Sequence, residues 1–131
     1  MLKHKRIASC VLVLALAFVL CIPAFASSFS ADFSVRTGSS SSWSGKDTDL
    51  WKFTSTDEAT FKTTLTYGTS VTSTLWMVKV WAPDQSITSY SVTKSDGSNS
   101  NTFVPQTSNS YYAVVQPADS YGVNGTVSAY N

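Results

Sequence analysis

Apolar and polar residues alternate with a period of two along much of this chain, which is the mark of half-buried β-strands. Phe61, Thr63, Leu65 and Tyr67 fall on one face of a strand, with Thr60, Lys62, Thr64 and Thr66 on the other. Trp76, Val78, Val80 and Ala82 alternate likewise with Leu75, Met77, Lys79 and Trp81. Tyr111, Ala113 and Val115 alternate with Tyr112, Val114 and Gln116, and Val123, Gly125, Val127 and Ala129 close the chain in the same manner. Past residue 26 the 3.6-residue apolar period of a helix never lasts beyond a turn.

Turn chemistry punctuates these runs. Thr37-Gly38 with the serines after it, Asp57-Glu58, Tyr67-Gly68, Pro83-Asp84, Asp96-Gly97 followed by Ser98-Asn99, and Ser108-Asn109 all mark reversals. Pro83, Pro105 and Pro117 sit at strand ends, where a missing N–H does little harm. The pattern predicts strands over 29–37, 48–54, 59–67, 73–82, 86–94, 101–104, 110–116 and 121–130, with the Ser-rich stretch 38–45 as a loop or linker. So many short strands in one small domain predict an all-β fold, a single antiparallel β-sandwich or jelly roll.

The first 26 residues obey a different pattern. Lys3, Lys5 and Arg6 precede an almost wholly apolar run from Ile7 to Ile22, and Pro23-Ala24-Phe25-Ala26 ends in a small-x-small step. That is the layout of a cleaved signal peptide over 1–26, followed by a secreted domain over 27–131. The apolar run falls short of the roughly 20 residues a spanning helix needs, so no stable membrane anchor is expected. Cys21 is poorly placed for lipidation, because Val19 and Leu20 stand where small residues are wanted.

Composition then narrows the chemistry. Cys10, Cys21 and His4, the only cysteines and histidine, all lie in the leader. The domain after it has no disulfide and no zinc to staple it, so one modest apolar core must hold the fold. Ser-His-Asp and Cys-His catalytic arrangements cannot be built from 27–131, nor can a His-rich zinc site. The only glutamate is Glu58, and its neighbour Asp57 would point to the opposite face of a strand, so the two do not flank one glycosidic bond. The reading is that the protein is not an enzyme. With six Lys or Arg against seven Asp and one Glu, the domain carries a net charge of about −2. That balance speaks against nucleic acid and against a polybasic grip on lipid.

From Asp47 onward the order of residues resembles the bacterial pre-peptidase C-terminal domain. The features are the acid-x-acid step into an aromatic strand, Asp47-Thr48-Asp49-Leu50-Trp51-Lys52-Phe53, the alternating strand Phe61 to Tyr67, and the hydrophobic strand and turn Leu75 to Asp84 with a later Asp96-Gly97. Tyr111-Tyr112-Ala113-Val114-Val115 and a last strand ending near Tyr130 complete the likeness. The resemblance implies a small secreted β-sandwich with a habit of extracellular binding. Members usually accompany a hydrolase domain, and none is present in this chain. Some related sandwiches bind calcium through acidic loop residues, which makes Asp47 and Asp49 candidate ligands. Calcium takes six to eight oxygens, and ordinary turn-capping aspartates are the alternative.

Aromatic residues supply the remaining candidates. Trp51 shares a face with Phe53, and Trp76 with Val78 and Val80, which predicts core packing for both tryptophans. Lys79 should point to solvent, and period two then places Met77 and Trp81 on its face with Leu75 beyond. Leu75, Met77 and Trp81 would form an exposed apolar stripe, unless a loop such as the one carrying Trp43 covers it. Tyr111 and Tyr112 face opposite ways, so one of them reaches the surface, and Tyr121 and Tyr130 either join it or simply fill a half-wet sheet. Asn124-Gly125-Thr126 is formally a glycosylation sequon, but Asn-Gly more often marks a turn or bulge. The expected function is a secreted, non-catalytic module that binds extracellular carbohydrate or protein through Trp81, Met77, Leu75 and Tyr112. The alternatives are a membrane-active, bacteriocin-like effector, suggested by the amphipathic stretch Thr60 to Thr74, and a partner or inhibitor of a secreted peptidase. Oligomeric state is open in the sequence, because edge strands can pair between chains.

Overall fold

A computed structural model describes residues 27–38 and 41–131, so the expected signal peptide lies outside the described residues. Eight strands run in the order β1 (Ser28–Val35), β2 (Trp43–Ser44), β3 (Ala59–Tyr67), β4 (Ser70–Met77), β5 (Gln85–Thr93), β6 (Ser98–Phe103), β7 (Tyr111–Pro117) and β8 (Val123–Tyr130). They form two four-stranded antiparallel sheets, one ordered β1-β8-β3-β6 and the other β2-β7-β4-β5. No helix occurs among the described residues. The arrangement fits a sandwich. Every strand lies beside the one that mirrors it about the β4–β5 turn: β1 by β8, β2 by β7, β3 by β6 and β4 by β5.

Period-two burial accounts for the core. Phe33 and Val35 from β1, Phe61 and Leu65 from β3, and Val123 and Val127 from β8 meet Val71, Leu75 and Met77 from β4, with Val92, Ala113 and Val115 from the strands beside it. Each fully buried aliphatic or aromatic side chain of this kind contributes about 1.5–3 kcal/mol of transfer free energy. Where the chain crosses from β6 to β7, rings gather: Phe53 packs edge-on against Phe103 and Tyr111, each at 5.5 Å, and Trp51 lies 6.3 Å from Phe61. The Gln106 backbone N–H donates to the Tyr111 hydroxyl at 2.7 Å, which satisfies the one polar atom of that ring.

One polar bridge crosses the interior. Thr63 of β3 donates to Ser73 of β4 at 2.8 Å and shares a hydrogen bond with the Tyr90 hydroxyl of β5 at 2.9 Å. Tyr90 divides its one hydroxyl proton between Thr63 and the Phe61 carbonyl, the latter at 3.1 Å. Burial pushes the Tyr90 phenol far above its usual pKa, so it stays a donor. The outward face of the first sheet is built almost wholly of Ser and Thr, with Asp32 accepting from Thr126 at 3.0 Å and Asn124 accepting from Ser34 at 2.8 Å.

The expected segment 48–54 does not form a strand. The second element is instead an interrupted edge along β7: Trp43 and Ser44 pair with Val115 and Val114, and the Gly45 N–H reaches the Ala113 carbonyl at 3.0 Å. The chain then leaves for a turn through Lys46–Thr48 and returns where Trp51 and Tyr111 exchange two 2.8 Å backbone bonds. The stretch read as a linker therefore contributes a strand, and part of the stretch read as a strand is a turn. β4 also ends at Met77 rather than continuing to residue 82.

Candidate functional site

The early end of β4 decides the candidate site. Residues 78–84 leave the sheet and close a tight loop pinned at both feet. The Val78 N–H donates to the Ser110 carbonyl at 2.8 Å, and the Lys79 N–H donates to Asp84 Oδ1 at 3.2 Å. Asp84 Oδ2 accepts from the Tyr112 hydroxyl at 2.9 Å and pairs with Lys46 Nζ at 2.7 Å. Lys46 comes from the turn that interrupts the second element, and its ammonium also lies 5.7 Å from the centre of the Tyr112 ring. Three separate segments thus converge on one carboxylate.

Electrostatics follow from that geometry. The Lys46 ammonium, then the Tyr112 hydroxyl and the Lys79 N–H, hold the Asp84 carboxyl below its ordinary pKa of 3.8. The same contact with Asp84 raises Lys46 above 10.5. Burial first, and the bond to Asp84 second, raise the Tyr112 phenol above 10.0.

At the crest of this loop stands Trp81, 99% exposed, with a backbone φ of 69°. No other described non-glycine residue has positive φ. A bulky side chain pays about 1–2 kcal/mol to sit in the left-handed region. Val80 beside it is also exposed. The strand register sets Trp76 opposite Tyr112, and the alternation with buried Leu75 and Met77 turns both rings to the outer face of the second sheet. Trp76 is half-buried there.

These placements correct the expected apolar stripe. Leu75 and Met77 are buried in the core between the sheets, so they do not share a surface with Trp81. Strand parity was carried through Lys79, but Lys79 belongs to the loop, where outward pointing says nothing about which face of the strand is wet. Trp76 for the same reason faces outward rather than packing with Val78 and Val80. Tyr112 is the outward member of the Tyr pair, yet it is only 6% exposed, because the Lys46 turn and the 78–84 loop cover it. Trp81 stands exposed, on a loop rather than a strand.

Asp47 and Asp49 lie in the turn beside Lys46, where Asp49 Oδ2 accepts from the Thr48 hydroxyl at 2.8 Å. Among the described residues no three Asp, Glu, His or Cys side chains gather as a metal ion requires. The pair by itself falls short of a calcium shell. Lys46 and Asp84 were not among the candidate site residues, and Trp76 was expected in the core. Pro83-Asp84 was legible as a turn, but nothing local announces that Lys46 would meet it across the fold. Comparison with protein-family models, with curated proteins and with solved structures finds no match.

Proposed function

We propose that this chain is a secreted, non-catalytic carbohydrate-binding module of jelly-roll form, with Trp81 as its principal contact. The observation that carries the reading is a fully exposed tryptophan held in a strained conformation by a loop that Asp84 ties down. An exposed, strained ring of that size has no packing role to explain it, and strain of this sort clusters at binding sites. The flat apolar face of an indole suits the C–H face of a pyranose ring. Tyr112 and Lys46 act one step back: they hold Asp84, and Asp84 holds the loop. The mirrored strand pairing about the β4–β5 turn supports the jelly-roll wrapping, as if one long hairpin ribbon had been rolled into two sheets.

Secretion rests on the leader pattern. N-terminal sequencing of protein recovered from the medium should read from Ser27, and an intact Met1 in that fraction would overturn it. The likeness to the pre-peptidase C-terminal domain is part of the same proposal. Strands at 59–67, 111–117 and 123–130 support it, and the turn at Asp47-Thr48-Asp49, where that family has a strand entry, weighs against it. For ligand binding, the test is a panel of cell-wall and matrix glycans probed with the protein and with Trp81→Ala. Binding to at least one glycan that Trp81→Ala loses about tenfold or more supports the reading; a panel that does not bind, or binding indifferent to the change, ends it.

A second reading draws on Val80. Adjacent exposed Val80 and Trp81, with Lys79 before them, also match the interfacial anchors of membrane-active proteins. Liposome flotation and dye leakage separate the two readings, because a glycan-binding loop gives neither.

A further inference from the structure

The opposite end of the molecule holds a second aromatic site. There the β3–β4 turn and the β7–β8 loop enclose a cleft of about 400 Å³, with Tyr67 and Tyr121 on its walls and Lys94 beside them. Tyr67 is 64% and Tyr121 66% exposed. By strand parity Tyr67 belongs to the buried face with Phe61, Thr63 and Leu65. A register shift between Leu65 and Tyr67 against β8 swings it outward instead. Bulges of this kind re-aim side chains beside functional sites. Tyr121 is presented by a turn in which its N–H donates to Asp119 Oδ1 at 3.1 Å. Gly68, at φ 112°, lies between them, and a Cβ there would meet Val123 Cγ1 at 2.6 Å, so the floor is bare backbone.

Among the described residues Lys94 is the only charged one lining this cleft. A shallower groove continues past it, sharing Thr69 and Lys94 and adding only Ser and Thr side chains. No carboxylate among the described residues lines either one. The nearest in sequence, Asp96, spends its Oδ2 on the Thr93 N–H and hydroxyl, at 3.3 and 2.6 Å. Lys94 makes no ion pair among the described residues.

We propose that this cleft is a second, independent binding site for an acidic polysaccharide, taking a uronic-acid-type ring between Tyr67 and Tyr121 with its carboxylate on Lys94 Nζ. Two exposed phenol faces supply sugar stacking, and the Lys94 ammonium, common to both grooves, selects the charge. The site stands roughly 25 Å from Trp81, the length of one strand. A chain bound at each end would be cross-linked by the protein.

Calorimetric titration with a galacturonic acid hexamer, a neutral hexose hexamer of equal length and inorganic polyphosphate tests this. The uronate hexamer should bind with an affinity that falls as salt rises. Tyr121→Ala should weaken it about tenfold and Lys94→Gln about two- to fivefold, while Lys52→Gln, at an exposed lysine away from the cleft, leaves it unchanged. All three side chains are exposed, so circular dichroism should show folded variants. Absence of uronate binding at millimolar ligand, equal binding of the neutral hexamer, binding of polyphosphate in place of uronate, or indifference to Lys94→Gln would each overturn the assignment. Loss of uronate binding in Trp81→Ala would place the ligand at the other end and overturn it as well.

Discussion

At Trp81 the backbone strain and the proposed binding role can be separated by substitution. Its φ of 69° suits glycine, so Trp81→Gly relieves strain while removing the ring. Trp81→Gly should leave stability level or raise it by up to about 1 kcal/mol, whereas Trp81→Ala keeps the strained backbone and gains nothing. Urea denaturation of the two variants reads the difference. Gly125 behaves oppositely. It lies mid-strand in β8, where a Cβ would collide with the Thr64 carbonyl oxygen and the Phe33 ring. The sequence flagged Asn124-Gly125 as a turn or bulge, and a register shift does occur opposite it, in β3. Gly125→Ala should cost about 1–3 kcal/mol by overpacking, seen as a lower denaturation midpoint. At Asp84 the prediction concerns pH. Its folded pKa lies below the unfolded 3.8, so its stabilising contribution is present above that value and disappears as pH falls through the folded pKa. Asp84→Asn should therefore be less stable than the parent at pH 6, with the gap closing below pH 3.8. A constant gap down to acid unfolding would show that Asp84 acts only through packing.

Among the elements, the strands themselves were the most legible feature. Phe61, Thr63 and Leu65, or Val123, Gly125 and Val127, alternate because one face meets the core and the other meets water, and that contrast is written in each residue. The second element was not legible, because Leu50, Trp51, Lys52 and Phe53 alternate just as a strand does. Only the position of β7 shows that Trp51 alone finds a ladder partner there, while Trp43 and Ser44 take the rest of the edge. The break has a consequence, since the excursion it creates carries Lys46 over Tyr112 to Asp84. The opposite edges are closed by side chains: Asn99 Nδ2 donates to the Ser91 carbonyl at 3.0 Å and Asn101 Nδ2 to the Thr88 hydroxyl at 2.9 Å, which stitches β6 to β5. The Thr63–Ser73–Tyr90 bridge ties the two sheets together through β3, β4 and β5. Thr63→Val strands the fully buried Ser73 hydroxyl and should cost about 1–3 kcal/mol. Adding Ser73→Ala should recover part of that loss, because no orphaned donor remains. A double-mutant cycle checks this, and strictly additive losses would mean that the two hydroxyls do not depend on each other.

The molecule as a whole relies on its core and on long-range pairing. Residues 27–131 contain no cysteine, so dithiothreitol should not move the melting temperature of the folded domain, as scanning calorimetry will show. Every sheet pairs strands distant in sequence, β1 with β8 above all, and such topologies fold in roughly milliseconds to seconds. Exposed aromatics lie at opposite ends, Trp81 at one and Tyr67 with Tyr121 at the other. By itself the sequence determined the all-β class, the places of most strands, the absence of catalytic histidine and cysteine after residue 26, and the leader pattern. Those properties depend on composition and on a period of two, and both are local. Only the tertiary structure decided which face of β4 is wet, that Tyr112 is covered, that a bulge turns Tyr67 outward, and that Lys46 meets Asp84. Each of these depends on where a strand stops or slips against its neighbour. That is set by pairing partners far along the chain, and alternation within one strand carries no record of them.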